Sequence, residues 1–184
     1  MMNKHWRWLW FLIALPLLIL PVMAERVPLQ AGIEKVWSVD MARDEAFKDA
    51  KPVVDLTGYP SSDPHYKQHL VARLLKKEKV GNRIITFFDM GFYSVSEMGS
   101  DRGFYYTPKG DLYAVDFDTS EDFPIKSYKH QYPSGRLMNI SITVGPGEDF
   151  VFKPNGDLVA HWIGDNCYDA QGRVTMSRTA SEVP

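Results

Sequence analysis

The phrase Tyr106-Thr107-Pro108-Lys109-Gly110-Asp111-Leu112 is written again, nearly unchanged, at Phe152-Lys153-Pro154-Asn155-Gly156-Asp157-Leu158. A looser copy, Tyr132-Pro133-Ser134-Gly135-Arg136-Leu137, lies between the two. Proline fixes φ at the second position of a type I turn, and the glycine that follows is free to go left-handed. Each copy therefore reads as the tip of a β-hairpin. A last, weaker copy turns at Gln171-Gly172, with Tyr168 four residues before the glycine and Val174 in the place of leucine. The glycines at 110, 135, 156 and 172 are separated by 25, 21 and 16 residues, too unevenly for a solenoid of identical rungs.

Working outward from these tips, period-two patterning begins at Arg83. Ile84 to Phe88 and Phe92 to Val95 flank Asp89-Met90-Gly91, a further hairpin loop. In-register pairing sets Tyr106 opposite Leu112 and Phe104 opposite Ala114, leaving Tyr105, Tyr113 and Val115 on the other face. The third hairpin repeats this, with Phe152, Leu158, Phe150 and Ala160 on one side and Val151, Val159 and Ile163 on the other. In the middle hairpin His130, Met138, Tyr128, Ile140 and Ile142 make an apolar side, and Lys129, Gln131, Asn139 and Ser141 a polar one. Hairpins one and three are expected to be covered on both faces and the middle one on a single face.

Before the hairpins the pattern is helical. Ser38 or Asp40 caps a short helix over Met41 to Ala50, resting on the sheet by Met41, Ala42, Ala46 and Phe47. Arg26 to Val39 reads as irregular or a short strand. Asp63-Pro64 opens a longer helix to Lys79, whose stripe of Tyr66, Leu70, Val71, Leu74 and Leu75 is expected to lie on the sheet, with Gly81 as terminator. The predicted architecture is α+β: an antiparallel β-meander of repeated hairpins, a curled sheet or partly open barrel, with two N-terminal helices packed on it. One globular domain spans 25–184, its helical part 25–82 and its sheet 83–184.

Residues 1–24 read as an export signal. Lys4 and Arg7 precede an apolar run from Leu9 to Leu20 broken only by Pro16, and Val22-Met23-Ala24 suits signal peptidase. An uncleaved anchor is the alternative, although about 12 apolar residues is short for a span. Removing the signal takes two of the 21 basic residues and leaves 19 against 23 acidic ones, a net charge of −4. No net basic field remains to attract nucleic acid. Cys167 is the one cysteine, so no disulfide forms within the chain. It is a buried small residue, an intermolecular bridge or a reactive group.

Serial hairpins carrying an aromatic, a glycine turn and a following leucine resemble the MORN-type repeat proteins, from about Gly103 to Ser177. The spacing differs from that family and its Tyr-x-Gly opening is missing. The resemblance implies a surface that binds proteins or lipids and carries over no catalytic residue. The run from the export signal through Gly103-Phe104-Tyr105-Tyr106 to His161-Trp162 is also similar to small exported cyanobacterial proteins of unknown function.

Candidate chemistry is sparse. His65 and His69 sit one helical turn apart and could share a metal ion, but Lys67 lies between them and a half-exposed helix flank accounts for both. His161, Asp165 and Cys167 could form a cysteine nucleophile with its base; a core histidine and a buried thiol are the plainer reading. Asp116, Asp118, Glu121 and Asp122 crowd one loop as calcium ligands or a solvated acidic turn. Lys76, Lys77, Lys79 and Arg83 gather where the helix ends, on a partner, on an anionic lipid surface, or simply at the end that the helix dipole favours for cations. Tyr105, Tyr113, His130 and Trp162 are the candidate binding residues.

The function expected is that of an exported, non-catalytic binding or assembly protein in a periplasm or thylakoid lumen. Its expected partner is another protein or a membrane-associated complex, and no cofactor is specified. The alternatives are an enzyme built on His161, Asp165 and Cys167, and a small-ligand carrier if the sheet closes into a barrel with an empty mouth.

Overall fold

Three of the four repeated tips close with the same turn bond, and the middle one differs, its Gly135 N–H donating to the Gln131 carbonyl four residues back at 2.8 Å. In the computed structural model, which describes residues 36–119 and 122–177, Gly110 N–H donates to the Thr107 carbonyl and Gly156 N–H to that of Lys153, both at 2.9 Å. Gly172 N–H does the same to Asp169 at 3.0 Å. Their φ angles are 85°, 87° and 73°, the left-handed region that glycine enters without strain. The expected export signal over 1–24, the stretch 26–35 and Glu121 lie outside the described residues.

These tips join an antiparallel meander whose strands lie side by side in chain order. The strands are β1 (Lys79–Val80), β2 (Arg83–Phe87), β3 (Tyr93–Glu97), β4 (Arg102–Tyr106), β5 (Leu112–Asp118) and β6 (Ile125–Gln131). They continue as β7 (Leu137–Gly145), β8 (Glu148–Phe152), β9 (Leu158–Ile163), β10 (Asn166–Tyr168) and β11 (Val174–Ser177). Two helices precede them, α1 (Val39–Phe47) and α2 (Tyr66–Leu74). The fold is α+β, and the curled sheet stays open, since β1 and β11 do not pair. The expectation of a carrier inside a closed barrel loses its barrel.

The register departs from simple pairing at one repeated place. Tyr106 does oppose Leu112, but Tyr105 opposes Ala114 and Phe104 opposes Val115, so Tyr113 is an extra residue. Met138 and Val159 are extra in the next two hairpins, and Thr175 in the last. Each is a β-bulge on the returning strand, immediately after the residue that follows the turn. The expected pairs Phe104 with Ala114, Phe150 with Ala160 and His130 with Met138 are thereby corrected to Val115, His161 and Leu137. The bulge turns Val115 inward beside Phe104 and leaves Tyr113 outside against Tyr105.

Both helices pack on one face. Ala42 and Ala46 of α1 are buried against Tyr128, Ile140, Ile142, Phe150 and Phe152, and Phe47 meets Phe152 edge-on at 6.4 Å. Ser38 caps this helix through its hydroxyl, which accepts from Met41 N–H at 3.2 Å. Lys126 from β6 reaches its other end, bonding the Glu45 carbonyl at 3.5 Å and pairing with Asp49 at 2.6 Å. That places a second cation, beside the C-cap Lys48, at the end of a helix whose last turn has no basic residue. Ala72 of α2 is buried with Ile85, Tyr93, Val95, Tyr106, Leu112 and Val115. Hairpins one and three are therefore not covered by helices on both faces, and Val159 and Ile163 are exposed.

The second helix differs most from its sequence reading. It ends at Leu75 because Lys76 turns left-handed, φ 51°, and Lys77 N–H bonds back to the Ala72 carbonyl at 2.8 Å. A lysine thus occupies the position of the usual glycine terminator, and Gly81 turns between β1 and β2 instead. His69 and Ala72 face inward; Leu70, Val71, Leu74 and Leu75 face solvent.

Residues 43–73 lace the hairpins together along the end of the sheet where the tips lie. Arg43 Nε donates to the Gly156 carbonyl at 3.0 Å and Val54 N–H to that of Gly135 at 2.9 Å. Asp63 N–H donates to Gly110 at 2.8 Å, and Arg73 Nη1 to Gly91 at 3.0 Å. One glycine carbonyl is taken from each of the four hairpins between β2 and β9, in reverse order of the hairpins. The approach is close enough that a Cβ on Gly135 would lie 1.8 Å from the Val54 oxygen.

Candidate functional site

The face of the sheet away from the helices carries the candidate site. Alternation along the strands places Thr86, Ser94, Tyr105, Asp116, Ser127, Lys129, Asn139 and Ser141 there. The bulge adds Tyr113. Four aromatic rings cluster at its β2 to β5 end: Phe88 stacks on Tyr105 with centroids 6.2 Å apart, Tyr113 meets Tyr105 edge-on at 6.1 Å, and Phe92 meets Tyr113 at 5.4 Å. Lys129 Nζ stands 3.7 Å from the centre of the Tyr105 ring, a cation–π contact.

Asp116 organises the polar side of the cluster. Its carboxylate accepts from the Tyr105 hydroxyl at 3.1 Å and from the Ser127 hydroxyl. Burial pushes the Tyr105 phenol well above its ordinary value, and the Asp116 charge adds to the rise. Burial lowers the Lys129 ammonium, with Asp116 opposing. Both groups are therefore partly screened from water although neither helix covers them. Beside them a cavity of about 290 Å³ is lined by Ser94, Ser96, Arg102, Tyr105, Asp116 and Asp118. The site offers flat aromatic faces, hydroxyls and a held ammonium, the groups of a contact surface.

Of the four candidate binding residues, Tyr105, Tyr113 and Trp162 lie on this face and His130 does not. His130 is buried under the helix side, with its ring nitrogens 3.1 and 3.0 Å from the carbonyl oxygens of Tyr128 and Lys51. It ties the segment that follows α1 to the sheet, away from the aromatic face.

The register separates the runner-up catalytic group. Cys167 pairs with Trp162, and Tyr168 pairs with His161, so thiol and imidazole point to opposite faces. His161 stacks on Phe150 at 3.9 Å and bonds Glu148 Oε1 at 3.0 Å. Cys167 is buried, and Asp165 sits in the exposed turn before it. The expectation that these three assemble is corrected.

His69 is the other surprise. It is 2% exposed, where a half-exposed flank was expected, and its Nδ1 lies 2.7 Å from Asp63 Oδ2. The Tyr93 hydroxyl donates to the same oxygen at 2.6 Å, and His65 N–H donates to Oδ1 at 2.8 Å. Burial pushes the Asp63 carboxyl up, and the bonds from His69, Tyr93 and His65 outweigh it, so the group ends below its ordinary value. Burial and the same carboxylate raise the Tyr93 phenol. His69 Nε2 is buried without a partner. Nothing local announces this cluster, since Tyr93 is 30 residues from Asp63.

His65 and His69 are one turn apart with ring centroids 6.0 Å apart, and Asp63 takes one His69 nitrogen. Among the described residues no group of three or more His, Cys, Asp or Glu side chains is placed to hold a metal ion. Among them, too, no helix is long and apolar enough to cross a membrane.

Comparison of the chain with protein-family models, with curated proteins and with solved structures returns no match.

Proposed function

We propose that this is an exported, non-catalytic binding or assembly protein, acting in a periplasm or thylakoid lumen, and that the sheet face away from the helices receives a protein partner. The observation that carries the reading is the aromatic cluster of Phe88, Phe92, Tyr105 and Tyr113 on a face that neither helix covers. Apolar and aromatic groups gathered on an exposed face mark interaction sites, and rigid rings are the usual anchors of protein interfaces. The held ammonium of Lys129 and the hydroxyls of Ser94 and Ser96 would supply the polar contacts that fix orientation. This role also agrees with the surface binding that the MORN-type resemblance implies.

The test is recovery of the full tagged chain from the membrane and envelope fraction of its own cells, beside a Phe88→Ala, Ser94→Arg double variant. Phe88 is exposed and Ser94 half-buried, and circular dichroism and thermal unfolding check that the variant keeps its fold. The expected result is a defined partner that co-purifies with the wild type and is lost with the variant. Equal recovery by both would contradict the proposal.

A further inference from the structure

We propose that the outward face of α2 docks on an anionic lipid bilayer, a surface separate from the aromatic face and independent of the reading above. The helix presents Leu70, Val71, Leu74 and Leu75 to solvent, with Leu74 75% exposed and Val71 53%. At 100° per residue these side chains span the half of the helix opposite His69 and Ala72, and Lys67 sits among them. The inward half already has its partners, so the outward half is not waiting for the sheet.

Charge decides what the face suits. Lys67, Lys76, Lys77 and Lys79 surround the apolar side chains, all exposed, and Glu78 is the one carboxylate between His65 and Phe88. The left-handed turn at Lys76 fixes this cluster at the end of the helix. The chain as a whole carries a formal charge of −2, so the cationic character is local. Short apolar side chains at the headgroup boundary, with lysine stems rising beside them to phosphates, are how an amphipathic helix lies on an anionic membrane. A second copy fits poorly, because a two-fold contact through this face would bring the two lysine clusters together. The β2–β3 tip, bonded to α2 through Arg73 and Gly91, adds Met90, 88% exposed, and one further carboxylate, Asp89, against the four lysines.

The experiment uses the full chain carrying Leu74→Cys labelled with an environment-sensitive nitrobenzoxadiazole dye, with Gln171→Cys at the β10–β11 tip as control. Cys167 is buried, and unsubstituted protein treated with the dye gives the background. Vesicles are phosphatidylcholine alone or phosphatidylcholine with phosphatidylglycerol. The dye at position 74 should shift to the blue on the anionic vesicles only, and the shift should disappear in high salt. Adding Lys77→Ala and Lys79→Ala should raise the lipid needed for half-saturation about twenty-five-fold, the product of about five-fold for each lysine near an anionic surface. Because the dye reports its own surroundings, attachment through the N-terminal apolar segment alone would leave it unshifted. Four results overturn the proposal: no shift at position 74, an equal shift on neutral vesicles, an equal shift at position 171, or a shift that grows with protein concentration without lipid.

Discussion

Asp63 joins two parts of the molecule through both ends of its carboxylate and through its backbone. Its oxygens accept from His69, Tyr93 and the His65 N–H, and its own N–H holds the Gly110 carbonyl. Removing the carboxylate leaves a buried imidazole and a buried hydroxyl without their acceptor. Asp63→Ala should therefore destabilise the fold by about 3–5 kcal/mol in denaturant unfolding. The pH dependence has a definite sign. The folded-state pKa lies below the ordinary 3.8, so the contribution is complete above about pH 4 and is lost as the pH falls through the folded value. The stability gap between wild type and Asp63→Asn should narrow only in that acid window, and a constant gap down to the lowest pH would refute it. Gly135 makes the second case at this scale. Gly135→Ala puts a Cβ against the Val54 oxygen at φ 66°, whereas Gly164→Ala meets open space at φ 57°. Strain from φ alone costs about 1–2 kcal/mol, so thermal unfolding should show Gly164→Ala near that loss and Gly135→Ala well beyond it.

At the scale of elements, the helices show where sequence periodicity succeeds and where it misleads. α1 is legible in part: Ser38 caps it, and Ala42 and Ala46 face the sheet as their spacing suggests, but the helix runs Val39–Phe47, short of Ala50, and Met41 is exposed. In α2 the Leu70, Val71, Leu74, Leu75 stripe is the strongest apolar signal in the segment, and it faces out. The helix is instead oriented by His69 bonding Asp63, six residues away, and by two longer-range contacts, Tyr66 lying across Gly110 and Arg73 reaching Gly91. The consequence is measurable. Leu74→Lys should change stability by less than about 0.5 kcal/mol, as a surface substitution does, while Ala72→Leu should cost about 1–3 kcal/mol by overpacking the core. The reverse order in denaturant unfolding would restore the stripe to the sheet. The hairpins divide similarly. Pro-x-Gly places three of the tips and a glycine turn the others, but the extra residue on each returning strand depends on how the strand twists away from its turn. Its one local trace is the unbroken apolar run Leu112-Tyr113-Ala114-Val115, which simple alternation cannot divide between two faces.

For the whole molecule, the meander and the lacing segment create two unlike faces. One holds the core and both helices; the other gathers Phe88, Phe92, Tyr105 and Tyr113 around a screened ammonium. The sequence already named Tyr105 and Tyr113 among the candidate binding residues, since period-two alternation sets them outside the core pairs. It could not give them Phe88 and Phe92 as neighbours, because those rings arrive from another hairpin, nor separate His161 from Cys167, because that depends on the β9–β10 register. The lacing is equally invisible, as it pairs the carbonyls of Gly91, Gly110, Gly135 and Gly156 with donors from residues 43–73. The most direct test of the binding face is site-specific photo-crosslinking of the full chain in its own cells. A photoreactive residue would replace Thr86 or Phe88 on that face, and, as the comparison, Gln171 at the last hairpin tip. The proposed role predicts a discrete protein adduct from positions 86 and 88 and none from 171. No adduct from either face position, or the same adduct from all three, would contradict it.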